Sequence, residues 1–561
     1  MLRSGALLGR LLRRTHHGCA SVVRPPTPHN EPIQYFAPGS DERAKLQQAL
    51  AELKSSPPEE MTCFVGGDQI RTGNIRDQVS PHDHAHVIGR YHLADENTIK
   101  LAIDTALSAR DEWERAPFEQ RAGVFLKAAD LMGTKYRYKL LASTMLGTAK
   151  TATQAEYDCT CELIDFYRFS VKAAEEIYNE QQVLHSHGVW NRLVYRGLEG
   201  FFAAISPFNF TALGGNLAGA PALMGNVVLW KNASTALHSS WLVFNILREA
   251  GLPDGVINFV PSSGPVFGKM VTSSPDLAGI GFTGSGDTFK YLWKEVGKNI
   301  DSYKTFPRLI GECGGKNYHF VHPSADVESA INGAIRAGYE YGGQKCSALG
   351  RQYVPESLWP QIKEGMVEAM KTIKVGPPDE PPTFYSAVID QNSFNNIKGY
   401  IEHAKSNSDL SIVYGGECDD SVGYYVYPTL VETKDPRSKL MVEEIFGPVI
   451  TTYVYPDDKV EETLKLVNET SPFGLTGAIY SKDSYFLHHA ASVLRHSAGN
   501  MYFNDKSTGS VVGQQPFGGG RLSGTNDKTG TKVLLQRYVS PLAIKEQFQP
   551  LTRWDYPSMA K

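Results

Sequence analysis

One cysteine in the stretch Gly338–Gly350 combines the features expected of an enzymatic nucleophile. Cys346 follows a pair of glycines and Lys345, and small residues come after it. Glycines let the backbone turn sharply and let a substrate approach closely, and a neighbouring cation favours the nucleophilic thiolate. The alternative is a buried and unreactive thiol, which is the more common state of a cysteine chosen at random.

A candidate general base lies in the segment Leu309-Ile-Gly-Glu-Cys-Gly-Gly-Lys316. Glu312 is surrounded there by apolar residues and glycines, and burial of a carboxylate in such surroundings raises its pKa. A raised pKa suits a base that works near neutral pH. The alternative is a salt bridge to Lys316. The adjacent Cys313 is a rival nucleophile, but the glutamate beside it disfavours a thiolate.

Three further segments predict an oxyanion donor and a phosphate site. Asn209, in Ser206-Pro-Phe-Asn, follows a predicted strand at the edge where α/β sites open, although an asparagine also commonly satisfies a turn. Lys231 ends the next strand, where it could reach a ribose or phosphate. The residues Phe282–Gly286 open a helix and predict a phosphate cradle. The literal fingerprint Gly279-x-Gly-x-x-Gly284 is distrusted, because the first strand–turn–helix unit does not lie there.

The elements that must position these residues follow from hydrophobic runs. Residues 200–230 carry no charged side chain, but their prolines and asparagines argue against a membrane span. They predict a β-α-β unit of a parallel sheet, and strand–helix alternation continues on both sides of Gly311, which indicates a doubly wound α/β protein. The predicted elements are strands at 201–205, 227–231, 256–260, 277–282, 412–414 and 449–455, and helices through 224, from about 287, at 358–371 and at 460–468.

The first third of the chain is predicted to be mostly helical, over residues 41–180, with a turn-rich loop at Val79–His84. Val183-Leu184 and Val189–Arg196 flank a His-Ser-His-Gly turn and predict a projecting hairpin. The alternating tail Arg537–Lys545 predicts an edge strand that pairs with this hairpin or with a partner subunit.

Length and charge narrow the class of protein. A chain of 561 residues is long enough for two or three domains, and a net charge of −4 gives no support for nucleic-acid or membrane-surface binding. The seven cysteines are irregularly spaced without a C-x-x-C pair, which predicts reduced thiols and no metal site. Residues 1–24 contain five arginines and no acidic residue, and predict a mitochondrial transit peptide; the alternative is a basic tail.

Six segments taken together resemble the aldehyde dehydrogenase superfamily over essentially the whole mature chain. They lie around 206–209, 231, 282–285, 311–316 and 342–346, followed by Glu443–Pro448. The resemblance implies a Rossmann-type NAD domain, a second α/β catalytic domain and a small β oligomerisation element. The implied divisions are 35–180 and 199–310 for the NAD domain, 311–530 for the catalytic domain, and 181–198 with 535–548 for oligomerisation.

The resemblance also implies roles for individual residues. Cys346 would be the nucleophile, Glu312 the base that activates water, and Asn209 an oxyanion donor together with the Cys346 backbone N–H. The implied NAD-binding residues are Ser206, Lys231, Gly284, Ser285, Gly286, Asp287, Thr288, Glu444 and Phe446. Many NAD-specific members carry a glutamate three residues after the lysine, whereas this chain has Ser234. The resemblance therefore does not imply a strict preference for NAD over NADP.

A closer similarity, carried by Gly-Gly-Gln-Lys-Cys-Ser-Ala and by the loop Ser507–Gly518, points to members that oxidise glutamate γ-semialdehyde to glutamate in the last step of proline degradation. Gly509 and Ser510 would hold the substrate carboxylate as a backbone nest, although the same residues fit an ordinary turn. Lys345 would supply positive charge, and Phe517 would line the aliphatic part.

The same resemblance implies a homodimer in the mitochondrial matrix, with a small-molecule substrate and no nucleic-acid or membrane partner. Two other classes of function remain open at this stage. One is a cysteine-dependent esterase that uses Cys346 and Glu312 without redox chemistry, and the other is a binding protein on an inactive dehydrogenase scaffold.

Overall fold

The computed structural model describes residues 23–561. The predicted transit peptide, residues 1–24, therefore lies almost wholly outside the described residues. The architecture is α/β, as predicted from the alternation of strands and helices.

The first of two large sheets has seven strands. Its central strands are short apolar runs with almost every residue buried, as expected for parallel strands that are covered on both faces. Five neighbouring strands are parallel, and the last two strand pairings are antiparallel. In spatial order the strands are Arg308–Glu312, Leu277–Thr283, Phe201–Ile205, Val227–Lys231, Ile257–Phe259, Cys63–Val65 and Asp68–Ile70. The predicted domain boundary between residues 310 and 311 falls inside the first of these strands.

The second large sheet also has seven strands and is parallel except at one edge, where Leu410–Tyr414 runs antiparallel. In spatial order the strands are Leu410–Tyr414, Thr429–Thr433, Val449–Tyr455, Leu349–Pro355, Asn317–Val321, Thr476–Tyr480 and Asn500–Phe503. The remaining paired strands are Glu59–Met61 with Asp83–His92 and Ile75–Ser80, Cys418–Asp419 with Tyr425–Val426, Phe473–Gly474 with Gly520–Arg521, and Val189–Arg196 with Ser540–Gln547.

Helices cover both large sheets. The α-helices are Asp41–Ser55, Glu96–Arg115, Phe118–Gly133, Arg137–Thr148, Ala152–Ala155, Leu163–Asn179, Thr211–Leu223, Leu237–Ala250, Gly264–Ser273, Gly286–Lys298, Val327–Tyr339, Trp359–Thr372, Gln391–Ser406, Lys439–Val442, Val460–Thr470, Ser484–Val493 and Lys532–Leu535. A π-helix, Glu156–Glu162, runs directly into Leu163–Asn179. No helix within residues 23–561 is long and apolar enough to cross a membrane.

Two predictions for the first 200 residues were wrong. Residues 59–92 form five short strands where helix was predicted. The turn-rich loop predicted at Val79–His84 is confirmed at Pro81 and His82, which form the tight turn between the antiparallel strands Ile75–Ser80 and Asp83–His92. Val183-Leu184 forms no strand. The strand Val189–Arg196 pairs with Ser540–Gln547, which confirms the predicted pairing of the tail. These are long-range pairings, and local patterns do not reveal the partner of a short strand.

The register of the first sheet places the predicted site residues at one edge. Ile205 lies opposite Lys231, and Thr283 lies opposite Glu312. Because these strands are parallel, the loops that follow them all leave the sheet on the same side, where ligands bind in open α/β sheets.

Candidate active site

Cys346 lies where two cavities meet. It lines a cavity of about 930 Å³ and a second cavity of about 440 Å³, which we call the cofactor cavity and the substrate cavity. Among the cysteines of the described chain, only Cys346 lines both. A nucleophile at this position can contact a substrate in one cavity while a second molecule occupies the other.

The backbone before Cys346 is tightly folded. Tyr341, Gly342 and Gly343 all have positive φ angles of 53°, 61° and 69°. A Cβ at Gly343 would lie 2.2 Å from the carbonyl oxygen of Gly447, so a side chain cannot be accommodated there. The double glycine of the sequence motif is therefore required by this close approach of two backbone segments.

Lys345 does not activate the cysteine, contrary to the sequence-based prediction. Its Nζ donates to Glu340 Oε2 at 2.8 Å, and both side chains are buried. Burial raises the pKa of the Cys346 thiol, and the negative charges of Glu444 and Glu312 raise it further. Burial also raises the pKa of the rival Cys313, to about 12, so position distinguishes the two thiols: Cys313 does not line the substrate cavity.

Asn209 reaches the cysteine loop across the cofactor cavity. Its Nδ2 donates to the carbonyl oxygen of Gln344 at 3.1 Å, two residues before Cys346. The amide group carries two hydrogens. The second is the candidate donor to an oxyanion formed at Cys346.

Glu312 ends the strand Arg308–Glu312 and is partly buried, with its Oε2 enclosed. Burial raises its pKa to about 8, as predicted from its apolar and glycine-rich surroundings. Its Oε2 has no hydrogen-bond partner within residues 23–561, and no ion pair to Lys316 forms in that part of the chain. Glu312 lines neither cavity, and its Oε1 lies close to Gly518. It must therefore rotate toward Cys346 to act on a water there.

Eight of the nine predicted NAD-binding residues line the cofactor cavity: Ser206, Lys231, Gly284, Ser285, Asp287, Thr288, Glu444 and Phe446. Gly286 does not line it and instead begins the helix Gly286–Lys298. Ser285 caps this helix, accepting from the Thr288 N–H at 3.3 Å. The cavity thus faces a helix N-terminus, which favours anions.

Two half-buried ionisable groups flank the cofactor cavity. Lys231 donates to the carbonyl oxygen of Asn232 at 3.1 Å, and burial lowers its pKa to about 8. Glu444 accepts from the Gly315 N–H at 2.7 Å, and burial raises its pKa to about 7. A Cβ at Gly314 would lie 1.9 Å from Glu444 Oε2, so the glycine makes room for this carboxylate.

All four predicted substrate-binding residues, Lys345, Gly509, Ser510 and Phe517, line the substrate cavity together with Cys346. The structure corrects one detail. The Ser510 hydroxyl donates to the carbonyl oxygen of Gln515 at 2.5 Å, within its own loop. A substrate anion would therefore have to displace this bond to use the hydroxyl.

A buried ion pair that sequence reasoning missed joins the two catalytic loops. Lys150 Nζ lies 2.7 Å from Asp158 Oδ2, and each side chain is 1% exposed. The Asp158 carboxylate also accepts the N–H groups of Thr211 and Ala212, which begin the helix after the Asn209 loop. Lys150 Nζ lies 4.8 Å from the ring centre of Tyr341 in the cysteine loop. Lys150 and Asp158 both lie in the region that was predicted only as helical, and no local sequence pattern distinguishes them from other charged residues.

Glu162 and the segment around Asn30 were also missed. Both line the substrate cavity, and burial raises the pKa of Glu162 to about 8. Within residues 23–561, no group of three or more His, Cys, Asp or Glu side chains is arranged to hold a metal ion.

Comparison with known proteins agrees with this geometry. A family model described as "Aldehyde dehydrogenase family" matches residues 70–541. The chain belongs to the aldehyde dehydrogenase family, and it is an enzyme of that kind.

More specific similarities lie within this family. The chain is 56% identical to "Delta-1-pyrroline-5-carboxylate dehydrogenase, mitochondrial" of Homo sapiens, over 94% of each chain, and 55% identical to the Danio rerio protein of the same name, over 95% of each. A solved structure, the Delta-pyrroline-5-carboxylate dehydrogenase from Mycobacterium tuberculosis bound with NAD, superposes with a TM-score of 0.93 at 42% identity, covering 97% of this chain and all of that one. The similarity to proteins named as mitochondrial indicates a mitochondrial protein.

Proposed function

We propose that this protein oxidises L-glutamate γ-semialdehyde, formed by opening of 1-pyrroline-5-carboxylate, to L-glutamate with NAD⁺ as oxidant, in the last step of proline degradation. The observation that carries the proposal is the position of Cys346 between two cavities. One is lined by groups suited to a dinucleotide and the other by an anion-binding loop. The relatives named above support the choice of substrate and cofactor.

The residues of the cofactor cavity fit NAD. The N-terminus of Gly286–Lys298 suits a pyrophosphate, and Lys231 supplies a half-buried cation that forms no ion pair with a carboxylate in the described chain. Glu444 presents a carboxylate that could accept ribose hydroxyls. Bound there, NAD⁺ would supply the hydride acceptor.

The substrate cavity fits an aldehyde that carries an α-amino acid group. Gly509 has a φ of 94°, and the N–H groups of this turn can converge on a carboxylate. Glu162 also lines the cavity, where its carboxyl group could accept from the substrate amino group, and Phe517 lines the aliphatic part.

The reaction follows from the placement of the residues. The Cys346 thiol gives its proton to solvent, and Sγ forms a bond to the aldehyde carbon, while the carbonyl oxygen becomes an oxyanion that accepts from Asn209 Nδ2 and the Cys346 N–H. After the hydride leaves that carbon, the substrate is a thioester of Cys346. Glu312 then takes a proton from water, whose oxygen attacks the thioester and releases glutamate and the thiol.

An aldehyde panel tests this proposal. Purified protein with glutamate γ-semialdehyde and NAD⁺ should produce absorbance at 340 nm, with a higher kcat/KM than for aliphatic aldehydes that lack a carboxylate. An esterase would cleave an activated ester without any increase at 340 nm. Absence of NADH with every aldehyde would exclude the dehydrogenase.

The proposed assembly is a homodimer built on the ribbon Val189–Arg196 with Ser540–Gln547. Trp190, Val194 and Leu542 are 48%, 41% and 41% exposed on this ribbon, and burial of such side chains favours association. Sedimentation equilibrium should give twice the monomer mass, and Val194→Lys should lower the measured mass.

The proposed compartment is the mitochondrial matrix. A fluorescent protein fused to residues 1–24 should be imported there.

A further inference from the structure

We propose that residues 29–34, which we call the strap, set substrate specificity by holding the loop of residues 507–517 in place, with Asn30 as the positioning residue. The inference rests on the proposed function, because that loop carries the Gly509–Ser510 anchor. The strap itself lies at the rim of the substrate cavity, where Asn30, Glu31 and Ile33 contribute to the lining.

Asn30 joins a helix to the anchor loop with one side chain. Its Nδ2 donates to Asp165 Oδ2 at 2.7 Å and to the carbonyl oxygen of Val512 at 2.8 Å. Its Oδ1 accepts from Gln514 Nε2 at 2.9 Å. Both amide hydrogens and the amide oxygen are thus used, and two of the three bonds go to the loop.

The bonds from Asn30 connect residues 509–515 of the loop to another segment of the chain. Residues 509–515 otherwise bond only to one another, for example Ser510 to Gln515, so that within the described chain their only hydrogen bonds to another segment are those from Asn30. The preceding residue is held differently, because the Thr508 hydroxyl lies 2.8 Å from that of Ser347. Loss of Asn30 would remove the hydrogen bonds that tie residues 509–515 to other segments, while Thr508 stays bonded to Ser347. Pro516 and Phe517 also stay bonded, since their carbonyl oxygens accept from Asn500 Nδ2 and the Thr529 N–H, both at 2.8 Å.

The strap is itself firmly bound, so it can serve as a fixed support. Glu31 lies 2.6 Å from Arg137 and 2.7 Å from Arg168, and its backbone N–H donates to Asp165 Oδ1 at 2.8 Å. The Gln34 N–H donates to Glu156 Oε1 at 2.9 Å. Asp165 and Glu156 belong to the continuous π- and α-helix, residues 156–179, which also contributes Glu162 to the cavity.

Asn30→Ala is the direct test. Removal of the two bonds to the loop should raise KM for glutamate γ-semialdehyde about tenfold, with kcat changed by less than about twofold, since the cysteine side of the loop stays bonded. The kcat/KM for propanal, which has no carboxylate to anchor, should stay unchanged. His29→Ala is the matched control, because His29 is exposed and makes no side-chain hydrogen bond within residues 23–561.

Hydrogen exchange gives a readout that does not depend on activity. Backbone amides of residues 509–515 should exchange faster in Asn30→Ala than in wild type, while those of Leu163–Asn179 should not. Gln514→Ala removes one of the same bonds from the exposed side of the loop and cannot unfold the strap. Its effect on KM should be smaller and less than additive with Asn30→Ala, because the two side chains share that bond.

The outcomes separate this inference from the proposed function. Equal losses for propanal and the semialdehyde, or unchanged exchange of residues 509–515, would overturn the strap inference. A wild-type enzyme that does not prefer the semialdehyde would instead overturn the proposed substrate, while faster exchange in Asn30→Ala would still support the contact between strap and loop.

Discussion

Replacement of Glu312 by glutamine tests the identity of the general base. The carboxylate is enclosed, its Oε2 lacks a hydrogen-bond partner in the described chain, and burial raises its pKa to about 8. Glutamine keeps the shape but cannot take a proton from water. Hydrolysis of the thioester should therefore slow by about 10²- to 10⁴-fold, the usual contribution of a general base, while hydride transfer keeps its rate.

The pKa predicts a pH profile for the wild-type enzyme. With a pKa of about 8, the carboxyl group is about one-tenth ionised at pH 7 and about nine-tenths ionised at pH 9. The ionised form is the base, so the rate of hydrolysis should rise about tenfold between these pH values and level off above them. Glu312→Gln should show no such rise.

The stability of the folded protein should fall as the pH rises, whereas the rate of hydrolysis rises. Because the pKa of Glu312 in the folded protein lies above the ordinary 4.5, the folded state binds this proton more tightly than the unfolded state. The resulting stability is fully present below pH 4.5 and is lost as the pH rises through about 8. Glutamine never ionises, so Glu312→Gln should raise Tm relative to wild type, more at pH 8.5 than at pH 6.

Stopped-flow absorbance at 340 nm is the decisive assay. The variant should release about one equivalent of NADH per site in a burst and then turn over slowly. Glu364→Gln, an exposed carboxylate on Trp359–Thr372, is the control and should behave as wild type. Loss of the burst, or a wild-type hydrolysis rate that is flat from pH 7 to pH 9, would refute the assignment of Glu312 as the base for hydrolysis.

Five further substitutions test other parts of the site. Cys346→Ala should abolish NADH formation and labelling by iodoacetamide while NAD still binds, whereas Cys313→Ala should stay active; the reverse result would reassign the nucleophile. Ser510→Ala should lower kcat/KM for the semialdehyde by about 10- to 150-fold if a bond to the substrate carboxylate is lost outright, and leave propanal unchanged. Ser234→Glu should lower kcat/KM for NADP⁺ at least about tenfold relative to NAD⁺, because a carboxylate repels the 2′-phosphate; an unchanged ratio would place the ribose elsewhere. Asp158→Asn breaks the buried ion pair with Lys150 and should lower the free energy of unfolding by about 3–5 kcal/mol in denaturant unfolding. A change below about 1 kcal/mol would contradict a stabilising role of this ion pair.

Much of the fold could be predicted from local patterns. The strands Phe201–Ile205, Val227–Lys231 and Val449–Tyr455 were predicted with the bounds that the structure shows, since interior parallel strands are continuous apolar runs. The short strands between residues 59 and 92 could not be predicted in this way. Strands of three to ten residues with mixed burial acquire their conformation from partners far along the chain.

The sequence by itself determined the candidate functional groups of this protein: a cysteine after two glycines, a carboxylate among apolar residues, and loops that follow parallel strands. Only the tertiary structure decided how these groups are charged and supported. Lys345, adjacent to Cys346, is paired with Glu340, and Asn30 holds a loop 482 residues away. Hydrogen bonds and burial depend on distance in space, and a charge is set by the groups packed around it, which adjacency along the chain does not specify.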